Sequence, residues 1–326
     1  MGYLSKILNL PTEKPAKEFK DPIFLIGLMR SGTTLLMHAL SEHPQLLKVG
    51  FELNAMWREI GGLKGDKYSC PRLTEDDFHQ RYLKNVVHYF SDYLAESKTI
   101  LRHLSRYDQR RVHGSGGVFY DWDNVIPLNK SPHLSNKVRY LAKLFPRAKF
   151  VVLVRPIESQ CASLKKHFQN TEIQKGKEYF LPDEDGSCWT KLDSENKNIA
   201  RKTANEDFSS IVKSWISLNH TMLADLDQVD NGNIIVDYND LVINQAETME
   251  RIFQFLSLDP KHKSKEIKIV NKKRKIHNTT TKGDPLTKWK KNLSEVEKVV
   301  ITDLVASNKE KYDYINKRVS DAKPKS

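Results

Sequence analysis

From Gly27 to Thr34 the chain reads Gly-Leu-Met-Arg-Ser-Gly-Thr-Thr, between an apolar run and a helical pattern. Glycines at this spacing make a phosphate-binding turn, in which backbone N–H groups and the helix N-terminus surround an anion. A nucleotide triphosphatase places lysine after the second glycine, on the outer phosphates, and a hydroxyl on magnesium. Here Thr33 follows Gly32, the cation comes earlier at Arg30, and Thr33 and Thr34 add two hydroxyls. The set Arg30, Ser31, Gly32, Thr33 and Thr34 suits a 5′-phosphate carrying one more transferable group, with no obligatory metal. A second anion grip stands at Arg155, directly after the apolar run Phe150–Val154, with Ser163 eight residues further on. An arginine at a strand's carboxyl end and a serine in the next helix can hold one phosphate from two sides, at the edge where open α/β sheets bind ligands. Two such grips suit one ligand that carries two anionic groups.

The elements that must position these residues are legible in the hydrophobic pattern. Ile23–Ile26 is a short apolar run of the kind buried on both faces, ended by Gly27. Thr33–His43 has helical spacing through Leu36, Ala39 and Leu40, and Pro44 stops it. Two further units follow: a helix over 136–145, a strand over 149–154 and a helix over 158–168; then a strand over 233–238 and a helix over 246–256. Strands alternating with helices predict an α/β fold, a P-loop-type parallel sheet flanked by helices on both faces. The expected organisation is an N-terminal arm at 1–20, a single domain at 21–315 and a frayed tail at 316–326. A polar stretch at 170–207 reads as a mobile insertion or lid, and there is no internal repeat.

Composition narrows the partners without choosing one. Lysine and arginine number 53 against 41 aspartate and glutamate, a net charge of +12 that attracts polyanions in general. No apolar run reaches the length of a membrane span, and the start lacks a signal core. Cys70, Cys161 and Cys188 are too scattered for a disulfide framework or a metal cage and fit a reducing compartment. The expectation is a soluble, cytoplasmic protein without a metal; a homodimer stays open.

Arg30-Ser31-Gly32-Thr33-Thr34-Leu35-Leu36 resembles the 5′-phosphosulfate loop of the sulfotransferases, and His43-Pro44 is similar to the tyrosylprotein and carbohydrate branches of that family. Separated motifs continue the resemblance in order over about residues 21–300. The resemblance implies 3′-phosphoadenosine 5′-phosphosulfate (PAPS) as donor and a hydroxyl-bearing acceptor: a sugar, polysaccharide, peptide or small molecule. It implies that Arg155 and Ser163 hold the 3′-phosphate, although the chain reads Arg155-Pro156-Ile157 where the family has Arg-Asp-Pro or Arg-Asn-Pro. Tyr238, in Asp237-Tyr238-Asn239-Asp240-Leu241, resembles a segment whose tyrosine lies near adenine; an aromatic face suits a purine, and core packing is the other reading. Lys282, before Gly283 and Leu286-Thr287-Lys288-Trp289, is the candidate contact from a loop over the 3′-phosphate. Lys130, in Asn129-Lys130-Ser131-Pro132, is similar to the family's Lys-Thr-Pro element and would neutralise charge on the bridging oxygen, assisted by Arg30. Glu52 is the candidate base, since it returns to the sheet edge soon after the first helix and a carboxylate there can take the acceptor's proton. His133 ranks below it, because its place after Pro132 favours a helix start.

Two other classes compete. A nucleotide or sugar kinase would share the loop but require magnesium and lysine at position 33. A nucleic-acid-binding protein would use the net charge and Lys272-Lys273-Arg274-Lys275, although such runs are usually solvated faces.

Overall fold

The run Ile23–Ile26 has no polar face, and it forms the central strand of a sheet covered on both sides. The computed structural model describes residues 19–63, 70–102, 120–181, 187–192, 202–259 and 283–323. Five parallel strands are present: β1 (Ile23–Ile26), β2 (Leu46–Lys48), β3 (Ile126–Lys130), β4 (Lys149–Val154) and, last in the chain, Asn233–Asp237. An antiparallel hairpin of β5 (Glu178–Phe180) and β6 (Thr190–Leu192) precedes that fifth strand, which is therefore β7. The sheet order is β2-β3-β1-β4-β7, with Leu25 opposite Lys130, Ile26 opposite Val152, and Val154 opposite Asp237. Because all five run the same way, every segment leaving a strand emerges at one edge. That edge collects the candidate chemistry.

Alternation along the strands feeds two apolar layers. Phe24, Ile26, Phe150 and Val152 face one, Ile23, Leu25, Val151 and Leu153 the other. The second layer is closed by α1 (Thr33–Leu40), through Leu36, Met37 and Leu40. In the first, α2 (Asn54–Glu59), α3 (Gln80–Arg102), α4 (Val138–Leu144), α5 (Ile157–Lys175) and α6 (Phe208–Leu226) contribute Trp57, Phe90, Leu141, Phe168 and Trp215. Past β7 come α7 (Tyr238–Ile243) and α8 (Gln245–Phe255), whose Met249, Ile252 and Phe253 join the α1 side. Each fully buried aliphatic or aromatic side chain contributes roughly 1.5–3 kcal/mol. The layers thus hold the edge rigidly from both faces.

The expected strands at 23–26, 149–154 and 233–238 match within a residue, while β2, β3, α3 and α6 were not anticipated. The predicted tail is different. Helices α9 (Trp289–Asn292), α10 (Glu295–Ser307) and α11 (Lys309–Asp321) run through the boundary at 316. Ile315 is 1% exposed, Tyr314 Oη donates to Asp227 at 2.5 Å, and Arg318 pairs with Asp227 at 2.7 Å, so one apolar anchor and two polar clasps seat a highly charged helix. The polar stretch 170–207 contains the end of α5, a left-handed stop at Gly176 (φ 58°), and the β5–β6 hairpin; its residues 182–186 and 193–201 lie outside the described set.

Candidate active site

The loop leaving β1 is shaped by glycines at its two tightest points. A Cβ on Gly27 would stand 2.6 Å from the Leu153 carbonyl oxygen, because the loop starts against the neighbouring strand. Gly32 has φ 105°, and a Cβ there would stand 2.7 Å from the Tyr238 ring. Arg30 between them adopts a left-handed φ of 66°, uncommon for a residue with a side chain and costing about 1–3 kcal/mol. Gln160 Nε2 donates to the Met29 carbonyl at 2.9 Å and Ser135 Oγ accepts from Gly27 N at 3.2 Å, so helix α5 and the segment after β3 clamp the turn. Inside it, the Ser31 hydroxyl is buried and makes no hydrogen bond among the described residues.

Beside this loop the end of β4 delivers Arg155, 6% exposed. Its Nη1 donates to the Arg30 carbonyl at 3.0 Å and its Nε to Ser159 Oγ at 2.9 Å. Its guanidinium carbon lies 4.3 Å from the Tyr238 ring centroid, a cation–π contact. Trp215 Nε1 bonds the Arg155 carbonyl and Gln160 Oε1, at 3.1 and 2.8 Å, fixing the strand end to α6. Sequence reasoning paired Arg155 with Ser163. In this structure Ser163 Oγ instead faces Arg30 Nε at 3.4 Å, and the serine one turn after the arginine, Ser159, takes Arg155. The two expected anchors therefore touch: Arg30, Ser163, Arg155 and Tyr238 form one connected group. Tyr238 begins α7 just beyond β7 and is 6% exposed, its ring packed between Gly32 and Arg155.

Across β1, the end of β3 delivers Lys130, 1% exposed. Its Nζ donates to Glu52 Oε1 at 2.7 Å and to Thr34 Oγ1 at 3.2 Å, and stands 4.5 Å from the Phe51 ring centroid. Glu52 reaches this place from the turn after β2, where Gly50 and Leu53 have positive φ (61° and 55°). Asn54 Nδ2 donates to Glu52 Oε2 at 3.2 Å, while Asn54 Oδ1 accepts from Ser131 Oγ at 2.8 Å. Lys130, Glu52 and the phosphate loop, far apart in the chain, thus form one hydrogen-bonded line. His133 lies in the 3₁₀ turn Pro132–Leu134, capped by Ser131 Oγ at 3.2 Å, with its ring 4.7 Å from that of Trp189.

The electrostatics are those of an anion site. Burial lowers the pKa of Arg30 and of Arg155, and Arg30 lowers that of Arg155 further. Burial also lowers Lys130; Glu52 opposes that shift and Arg30 adds to it. Two lysines join the group unannounced. Lys288 is lowered by burial, then by Arg155 and Arg30, and Lys48 by burial and Lys130. Lys288 belongs to the Leu286–Trp289 segment that the sequence singled out, and α9 with Trp289 packed on the apolar layer places it. Lys282, the contact chosen from that segment, lies outside the described residues, as do Lys272–Lys275. Lys288 stood inside the quoted motif, and the signal for Ser159 was its place four residues after Arg155.

The strand ends thus bring together a parallel sheet's lysine-free glycine loop, a cation at each neighbouring strand and a carboxylate beside one of them. The description "Sulfotransferase family" matches residues 22–192, just over half of the chain, and the chain belongs to the sulfotransferase family. It is a sulfotransferase. No curated protein sequence matches it. Among solved structures it is similar to the sulfotransferase domain from the Synechococcus PCC 7002 olefin synthase: 17% identity, 91% of this chain and 98% of that one covered, TM-score 0.44. It is also similar to the sulfotransferase from Alicyclobacillus acidocaldarius (11% identity, 92% and 97% covered, TM-score 0.49) and the sulfotransferase domain from the curacin biosynthetic pathway (16%, 88% and 98%, 0.46). Among the described residues no helix is long and apolar enough to cross a membrane, and no group of three or more His, Cys, Asp or Glu is placed to hold a metal ion.

Proposed function

We propose that this sulfotransferase uses PAPS as donor and transfers its sulfuryl group, in line, to an acceptor hydroxyl deprotonated by Glu52. The observation that carries the reading is the line Glu52–Lys130–Thr34, which joins carboxylate, cation and phosphate loop within 3.2 Å contacts. Support for the nucleotide comes from the loop itself. The buried Ser31 hydroxyl has no partner among the described residues, and Arg30, Arg155 and Lys288 lose water and repel one another, a cost that a bound anion offsets. Ser31, Gly32, Thr33 and Thr34 would hold the 5′ end. Arg155, Ser163, Lys288 and Lys282 would hold the 3′-phosphate, with Tyr238 at the adenine end through Arg155.

PAPS, when bound, supplies a sulfuryl group activated by its anhydride with phosphate. The protein's own part is positioning and charge. Glu52, oriented by Asn54, accepts the acceptor's proton on one carboxylate oxygen. The Lys130 ammonium stabilises negative charge on the departing oxygen, and Arg30 assists from the loop. Burial of Lys130 strengthens this interaction, since water does not screen it. The acceptor belongs to the sugar, polysaccharide, peptide or small-molecule hydroxyls. Three unbridged cysteines support a cytoplasmic setting.

Calorimetry with 3′,5′-adenosine bisphosphate tests the nucleotide, and a labelled sulfate donor with a panel of hydroxyl acceptors tests the transfer. Transfer should persist in excess chelator. Activity with a nucleoside triphosphate that stops on chelation would replace this reading with a kinase.

A further inference from the structure

Behind the turn that follows Lys130, two cysteines distant in sequence meet. Cys70 N donates to the Trp189 carbonyl at 3.1 Å, and Cys188 N donates to the Cys70 carbonyl at 2.9 Å. The second of these bonds joins the two cysteines directly, so their backbones lie one hydrogen bond apart. The Cys70 thiol also donates to the His133 carbonyl, at 3.7 Å. Against the Cys70 sulfur, at 3.3 Å, stands the Lys137 ammonium, itself 1% exposed. Its other contacts are neutral oxygens, the His133 carbonyl at 2.7 Å and Asn136 Oδ1 at 2.6 Å, and among the described residues no carboxylate pairs with it. A buried cation without a carboxylate is costly, and a thiolate at Cys70 supplies the missing charge.

We propose that Cys70 and Cys188 are a redox modification site, a dithiol that a peroxide converts to a disulfide with Cys70 as the attacking thiolate and Lys137 as its positioning cation. Burial works against ionising Cys70, but the Cys188 thiol, Lys137 and His133 together outweigh it and hold its pKa well below that of an ordinary thiol. Cys188 keeps its proton, its pKa raised by burial and by Cys70. In the first step the Cys70 sulfur takes the terminal oxygen of hydrogen peroxide, the O–O bond breaks, hydroxide leaves, and Cys70 becomes a sulfenic acid. In the second, the Cys188 sulfur attacks that of Cys70, the S–O bond breaks, and oxygen leaves as water with the Cys188 proton. Two thiols lose two electrons, and one peroxide is reduced. Cys70 and Cys188 are 2% and 1% exposed, so the site favours an oxidant as small as peroxide. Cys161, fully buried with its pKa raised by burial and by Glu158, is an internal control.

The test uses the whole chain, treated with hydrogen peroxide, quenched, alkylated under denaturing conditions and mapped by mass spectrometry. A Cys70–Cys188 cross-linked peptide with Cys161 still alkylated is expected. In Cys188→Ser protein, dimedone should trap a sulfenic acid on Cys70 at least about ten-fold faster than on Cys188 in Cys70→Ser protein. Lys137→Gln should move the pH profile of that trapping to higher pH. Both thiols left free under conditions that oxidise Cys161, equal trapping rates in the two single variants, or zinc retained with both thiols protected would each overturn the proposal.

Discussion

On the β1–β4–β7 side of the sheet edge, Arg155 is held by a serine hydroxyl, a carbonyl and an aromatic face, whereas on the β2–β3 side Lys130 is held by a carboxylate. Both cations are buried, and burial lowers the pKa of each. In the first half Arg155 is held by neutral groups and so presents an attraction to be met by a ligand. The second carries its own anion, paired with Lys130 at 2.7 Å. A binding region gains from unspent charge; a transfer region gains from a charge pair whose partners can be redirected as bonds change. The division also explains why backbone clamps concentrate around the phosphate loop, while Glu52 is oriented by side chains alone.

The comparison is broken or sharpened by substitution on each side. The largest effect belongs to the transfer half: Lys130→Ala and Glu52→Ala should each lower single-turnover rate by about 10²–10⁴-fold. Affinity for 3′,5′-adenosine bisphosphate should change only a few-fold in both. Full rate in Glu52→Ala on the true acceptor would remove it as base. In the binding half, Arg155→Gln should weaken bisphosphate binding by about 10–10²-fold, the range for a charge-assisted hydrogen bond of 1.5–3 kcal/mol, with less change in rate at saturation. If Arg155→Gln instead abolished the rate and spared binding, the two halves would exchange roles.

Gly32→Ala tests the frame of the binding half, since its Cβ meets Tyr238 at a positive φ. It should cost roughly 1–3 kcal/mol in urea unfolding. The pH profile separates the cations. Activity that needs the Lys130 ammonium is present below its pKa and lost as pH rises through it, so the alkaline limb should fall below that of an ordinary lysine. Glu52 raises that pKa, and Glu52→Gln should therefore shift any residual activity's alkaline limb lower still. An unmoved limb would assign it to another group. The smallest effect is expected for Ser163→Ala, about 2–10-fold in bisphosphate affinity for one hydroxyl hydrogen bond.

Much of this site was legible because its parts follow strands with strong signatures. β1 is apolar throughout and β4 is apolar after Lys149, so Gly27 and Arg155 announce themselves as strand ends. β2 and β3 do not: Leu46–Lys48 has three residues, and Ile126–Lys130 carries Pro127, Asn129 and Lys130, polar or strand-averse residues that tertiary burial overrides. Lys130 was found through its motif. Ser159 and Lys288 were passed over because their importance is a matter of distance, and Lys288 takes its place from helices that pack far along the chain from the loop it faces.

What the chain determined by itself was local: a glycine loop that can only be a turn, apolar runs that must be buried strands, and the residue types placed immediately after them. Which arginine meets which serine, the pairing of Lys130 with Glu52, and the meeting of Cys70 with Cys188 were decided by the tertiary structure. The reason is physical. Parallel strands need long crossovers, so residues that share the sheet edge are scores of positions apart, and only packing of both apolar layers brings them within hydrogen-bonding distance.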